Sequence, residues 1–266
     1  MIDITRLPAG PLAALRAGRS ERRPVVLIHG IFDSAACWIR VMEELTEDDR
    51  QVIAVDLPGH GTSPLIDRDF GLTRLASAVV ETLGRLGVRT FDLIGHSLGG
   101  LVAHQIAQSR PELVHSLTLE DPAWGVSDDQ PDAPPGFLCD RAAQLEAWPA
   151  RKILSEGRAQ HPAWDERDLC GWLEAKIDVD TTILRMNQDW VADTGPAAWD
   201  RYSGPVLLLT GNPDADAIVT IAMVHQARRA LADRLTHSHH PSAGHNIRKD
   251  TPAAFMAAVR AFLAPT

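Results

Sequence analysis

The sequence predicts an α/β fold, a mostly parallel doubly wound sheet with an inserted helical cap, and three observations point there. Short apolar runs rich in β-branched residues recur along the chain, segments of helical spacing stand between them, and the rhythm breaks once, between Pro122 and Ser203. An uninterrupted apolar run suits a parallel strand covered on both faces, where an alternating one would suit a half-exposed strand.

Two segments near residues 3–7 and 11–16, joined by Pro8, Ala9 and Gly10, read as an antiparallel hairpin on the sheet edge. The strands that follow are PVVLIHG (24–30), QVIAVDLPG (51–59), FDLIGHS (91–97), HSLTLED (115–121), GPVLLLTG (204–211) and RLTHSHH (234–240). Helical spacing and good helix formers mark 36–46, 72–87, 98–109, 219–232 and 251–263. The core is therefore expected over 1–121 and 204–266, with 122–203 as the cap. That insertion holds six of the seven tryptophans. One reading has them pack the cap onto the sheet; a sharper one has some of them, with Trp124, Trp148 and Trp190 as candidates, line an apolar pocket over the carboxyl edge of the strands.

Composition narrows the partners. A chain of 266 residues with 45% hydrophobic and 23% charged residues forms one sizeable core, and no apolar run is long enough to cross a bilayer. A formal charge of -9 argues against nucleic acid, which needs a concentrated basic face, and favours a small-molecule substrate. The first residues lack the basic start and long apolar segment of a leader, so a cytoplasmic location is expected. Cys37, Cys139 and Cys170 show no CxxC spacing, so neither a disulfide framework nor a metal site is expected, and His237, His239 and His240 read as surface residues. Oligomeric state is not legible here.

The chemistry centres on Gly95-His96-Ser97-Leu98-Gly99, which matches G-x-S-x-G. Small neighbours let a strand turn sharply into a helix and leave the serine strained and exposed at the turn. The first helical residue, Leu98, offers an unpaired N–H at the positive end of the helix dipole, suited to an oxyanion. A second donor is expected after the first long parallel strand, where Gly30 permits a close turn and Ile31 N–H is the candidate, with Phe32 as the alternative and as a substrate contact. Serine needs a base, and His245 in PSAGHNIRKD, on a loop before the last helix, is placed to supply one. Asp33 and Ser34, just past the oxyanion loop, read as helix N-cap residues.

Across nearly all of its length the chain resembles an α/β-hydrolase of the lipase, esterase and lactonase type, through VVLIHG, VIAVDLPGHGTS, LIGHSLGG, LLLTGNPD and AGHNI in that order. The resemblance implies a Ser–acid–His triad and no cofactor. Two sites compete for the acid: Asp214, where most of the family keep it, and Asp121 at the end of HSLTLED, where some branches place it. Asp216 and Glu120 are neighbouring alternatives, although Glu120 should point to the opposite face of its strand. The expected activity is hydrolysis of a carboxylic ester or lactone of an apolar or aromatic small molecule. Amide, thioester or C–C hydrolysis and cofactor-free perhydrolysis could run on the same residues, and a ligand-binding receptor of the same fold is the non-enzymatic alternative.

Overall fold

The computed structural model describes residues 3–65, 71–125, 136–186 and 194–264. Strands β1 (Ile4–Pro8) and β2 (Ala13–Ala17) form the expected antiparallel hairpin, with Ile4 opposite Ala17. Six further strands follow, namely β3 (Val25–Ile28), β4 (Val52–Val55), β5 (Phe91–His96), β6 (Val114–Glu120), β7 (Val206–Thr210) and β8 (Leu235–His239). They pair in the order β1-β2-β4-β3-β5-β6-β7-β8, and only β2 runs against its neighbours. β5, which ends at the serine, therefore lies inside the sheet, flanked by β3 and β6, and the carboxyl ends of all three meet at one edge.

Helices cover both faces. Alternate residues of β3 and β4 divide between them: Val26, Ile28, Ile53 and Val55 join α2 (Leu72–Arg85), α3 (Leu98–Ser109) and α7 (Ile221–Leu231), while Val25, Leu27, Val52 and Ala54 join α1 (Ile39–Glu47) and α9 (Pro252–Leu263). This two-sided burial is why the strands read as continuous apolar runs. The inserted stretch contributes α4 (Phe137–Ala147), α5 (Ala150–Gln160) and α6 (Glu166–Asp178) between β6 and β7. α6 packs tightly on the turn after β3, where a Cβ on Gly171 would lie 2.6 Å from Ala36 O. The remaining short helix, α8 (Ile247–Asp250), directly follows the His245 loop.

Among the described residues, no helix is long and apolar enough to cross a membrane. His237 Nε2 and His239 Nδ1 both contact the Thr210 hydroxyl, at 2.9 and 3.2 Å.

Candidate active site

Ser97 stands between β5 and α3 with φ 55° and ψ -120°, a left-handed conformation that costs a non-glycine residue roughly 1–3 kcal/mol. The flanking glycines make the turn possible by close approach. A Cβ on Gly95 would sit 2.2 Å from Gly99 O, and one on Gly99 would sit 2.3 Å from Ile28 O. Gly99→Ala is therefore expected to destabilise the fold by about 3 kcal/mol, the upper end for overpacking a dense interior. A lowered urea midpoint with an unchanged m-value would report it.

The same packing brings the turn after β3 against the serine. A Cβ on Gly30 would lie 3.1 Å from Ser97 Cβ, so Gly30 borders the serine directly, with Ile31 and Phe32 next along the turn. Two histidines brace this turn. His29 Nε2 accepts the Leu57 N–H at 2.9 Å, leaving its Nδ1–H to donate to Gly30 O at 2.8 Å. His60 Nε2 stands 2.7 Å from Ile31 O. Burial pushes His29 down to about 4 and His60 to about 3, so both rings are neutral near pH 7. Leu98 is the first residue of α3, a position whose N–H has no intrahelical acceptor.

His245 lies on the loop between β8 and α8, and His96, the residue before Ser97, ties the two together. His96 Nε2–H donates to His245 O at 2.9 Å, and the two rings pack at a tilt of 43° with centroids 4.6 Å apart. The carboxylate that meets His245 is Asp121: its Oδ2 accepts from Nδ1–H at 2.6 Å. Because a carboxylate can only accept, this assigns the proton to Nδ1 and leaves Nε2 as the basic nitrogen. Asp121 sits just past β6 with φ 38°, wholly buried, and also accepts from Ile218 N–H at 2.8 Å and Val219 N–H at 2.9 Å.

The competing acids lie elsewhere. Asp214 is exposed on the loop after β7, with its own N–H bonded to the Asn212 side chain, and among the described residues no hydrogen bond or ion pair joins it to His245. The loop has room for Ile218 and Val219 to face Asp121 because it turns through Pro213–Ala215 and a left-handed Asp216 at φ 72°. It thus supplies N–H donors to Asp121 instead of a carboxylate to the His245 ring. Asp216 Oδ1 accepts the His245 backbone N–H at 2.8 Å, and Glu120 points the other way, to Arg248.

Burial works against a charge on His245, but the hydrogen bond and charge of Asp121, helped by Asp216 and Glu120, hold its pKa above the usual value. A base must be neutral to act, so activity falls as pH drops through this raised pKa. The acid limb of kcat/KM is expected above pH 6.5, and above that of an Asp121→Asn variant, in which burial remains and the opposing charge is gone.

A buried ion cluster, absent from the sequence reading, joins these segments. Arg248 donates from Nη1 to Glu120 Oε2 at 2.9 Å and from Nη2 to Asp33 Oδ2 at 2.7 Å, and its backbone N–H bonds Glu120 Oε1 at 2.8 Å. Lys249 Nζ reaches Asp33 Oδ1 at 3.3 Å. One guanidinium thereby links the turn after β3, the strand leading to Asp121 and the loop of His245. Burial would raise the Asp33 pKa, yet Lys249, His96 and Arg248 hold it well below the carboxylate range. Asp33 is thus an ion-pair partner and not the helix cap expected of it, and Ser34 makes no side-chain cap bond either. The one local hint was the pair Arg248 and Lys249 opening an otherwise apolar helical stretch.

Of the tryptophans, Trp124 is 1% exposed, donates to His104 Nδ1 at 3.3 Å and packs its edge on Trp199. Trp164 and Trp172 are buried as well. Trp148 is half-buried beneath the Lys152 ammonium, 3.9 Å from its ring centroid, and Trp190 lies outside the described residues.

This chain has relatives among known proteins. It is 28% identical over 233 residues to an (E)-2-((N-methylformamido)methylene)succinate hydrolase of Acinetobacter baylyi, covering 84% of this chain and 85% of that one. It is 26% identical over 254 residues to the sn-1-specific diacylglycerol lipase ABHD11 of Mus musculus, covering 90% of this chain and 80% of the lipase. Among solved structures, the 2-hydroxy-6-oxo-6-phenylhexa-2,4-dienoate hydrolase of a Rhodococcus species superposes with a TM-score of 0.76 at 19% identity, over 99% of this chain and 100% of that one. The profile of the alpha/beta hydrolase family matches residues 25–259, which takes in the Ser97 turn, Asp121 and the His245 loop. With that match added to the sheet order and the strained serine, the chain belongs to the alpha/beta hydrolase family and is a hydrolase.

Proposed function

We propose that this hydrolase cleaves a carboxylic ester or lactone through an acyl-enzyme. Ser97 is the nucleophile, His245 the base, Asp121 the acid, and the N–H groups of Leu98 and Ile31 receive the oxyanion. The observation that carries the reading is the 2.6 Å bond from His245 Nδ1 to a buried Asp121, beside a serine held at φ 55°.

His245 Nε2 takes the Ser97 proton as Oγ attacks the acyl carbon, and returns it to the leaving oxygen as the tetrahedral intermediate collapses. Asp121 keeps the proton on Nδ1 and stabilises the imidazolium. The two N–H groups bind the charge as it develops on the carbonyl oxygen, which matters most in a site screened from water. Water then enters, activated by the same histidine, and releases the acid. A carboxylate nucleophile would be needed for haloalkane or epoxide chemistry, and the turn holds a serine.

A fluorophosphonate probe and a panel of aryl esters, lactones and amides of graded size test this together. The expected result is stoichiometric labelling at Ser97 and turnover of esters or lactones ahead of amides. Labelling that persists in Ser97→Ala, or turnover confined to amides, would reject it.

A further inference from the structure

The turn that borders Ser97 carries more positive charge than the described residues neutralise. Phe32, two residues past Gly30 and so within about 7 Å of it along the chain, has a partly exposed ring. Two cations from separate inserted helices face that ring. Lys176 of α6 holds its Nζ 5.9 Å from the centroid and donates to Phe32 O, and Arg141 of α4 holds its Cζ 6.0 Å from the same centroid.

Among the described residues, neither cation has a carboxylate to itself. The nearest to Lys176 is Asp33, 3.9 Å away, and Asp33 already serves Arg248 at 2.7 Å and Lys249 at 3.3 Å. Arg141 bonds the neutral Gln144, and among the described residues no acidic group pairs with it. Lys176 is only 5% exposed, and burial pushes its pKa down to about 8 against the pull of Asp33, with Lys249 and Arg141 adding repulsion. A buried ammonium beside a half-buried guanidinium is costly unless an anion completes the group.

We infer that Arg141 and Lys176 form a subsite for a carboxylate that the substrate carries in addition to its scissile acyl group. The inference rests on the hydrolase reading above and changes its substrate class from purely apolar to an anionic ester or lactone. A guanidinium can take both carboxylate oxygens in a fork, the ammonium adds a point charge, and the Phe32 ring packs the hydrocarbon that links carboxylate to carbonyl.

Two matched pairs test it on the acyl and alcohol sides: mono-4-nitrophenyl adipate against its methyl-capped diester, and 3-acetoxybenzoate against methyl 3-acetoxybenzoate. The quantity read is the ratio of kcat/KM for the acid to that for its methyl ester. A ratio of tenfold or more in at least one pair is expected, falling at least fivefold in Arg141→Gln and in Lys176→Met. A wild-type ratio at or below one in both pairs overturns the subsite, as does a ratio that survives in Arg141→Gln.

Adipate dianion binding gives a readout that does not need turnover. Adipate should raise the Tm of the wild-type protein where adipamide does not, and Arg141→Gln should abolish the difference. No difference in wild type rejects the subsite even where every ester is cleaved. A difference that persists while Ser97 fails to label would reject the acyl-enzyme reading and leave the anion site standing.

Discussion

Ser97→Ala is expected to lower kcat on an aryl ester by on the order of 10⁵ to 10⁶, with the fold intact. The substitution removes only Oγ. It keeps the Cβ that packs near the Gly30 turn, and alanine bears the same strain at φ 55° as serine. Thermal unfolding should therefore match wild type within a few degrees while acyl transfer stops. What remains is the modest acceleration that oxyanion donors and substrate binding give an attacking water. The check is single-turnover kinetics with a Tm on the same preparation. Residual activity above a tenth of wild type would remove Ser97 from the mechanism.

Asp121→Asn should cost about 10⁴ in kcat, and Asp214→Asn less than about threefold. Asp121 accepts from three N–H groups, those of His245, Ile218 and Val219. An asparagine has one acceptor oxygen, so its amide N–H₂ must face at least one of those donors. If it takes the place of Oδ2 it faces both His245 and Ile218: the ring is driven to the other tautomer, Nε2 is no longer free to take the serine proton, and the Ile218 N–H loses its acceptor. If it takes the place of Oδ1, the Val219 N–H is left without an acceptor, at about 1–3 kcal/mol for a buried group, and the negative charge that stabilises the imidazolium is gone. Both routes predict a loss of stability as well as rate, and Asp214→Asn predicts neither, since that side chain is exposed and unpaired with His245. Measuring kcat and urea stability on the two variants separates them; a larger loss in Asp214→Asn would reverse the assignment.

Much of this arrangement was legible before folding. The predicted helix over 98–109 coincides with α3, and the predicted strand runs contain β3 through β8 to within a few residues, because each rests on short-range backbone preference and two-sided burial. The hairpin at the edge was legible from its turn residues. Less was legible over 122–203, where α4 packs on residues 181–185 and α5 on α6, and α6 reaches the core at residues 35–38 and α1, so these helices of mixed polarity bury narrow faces, largely within the insertion. The tryptophans there read either as cap packing or, for some, as pocket lining, and Trp124 and Trp199 bury their rings around His104, whose Nε2 bonds Ala198 O at 2.7 Å.

The sequence by itself determined the strand, sharp turn and helix around Ser97, since small residues at Gly95 and Gly99 and an apolar run before them leave the backbone few other choices. It also placed His245 on a loop before the last helix. Which carboxylate reaches that histidine was decided only by tertiary structure. β6 lies between β5 and β7, and that pairing sets Asp121 beside both the serine turn and the loop that bonds its carboxylate. Asp121 and His245 are 124 residues apart, and Asp33 and Arg248 are 215 apart. Local preference carries no information over such separations. Desolvation does, because a charge drawn into the interior must find its partner there, and only the packed sheet brings those partners within reach.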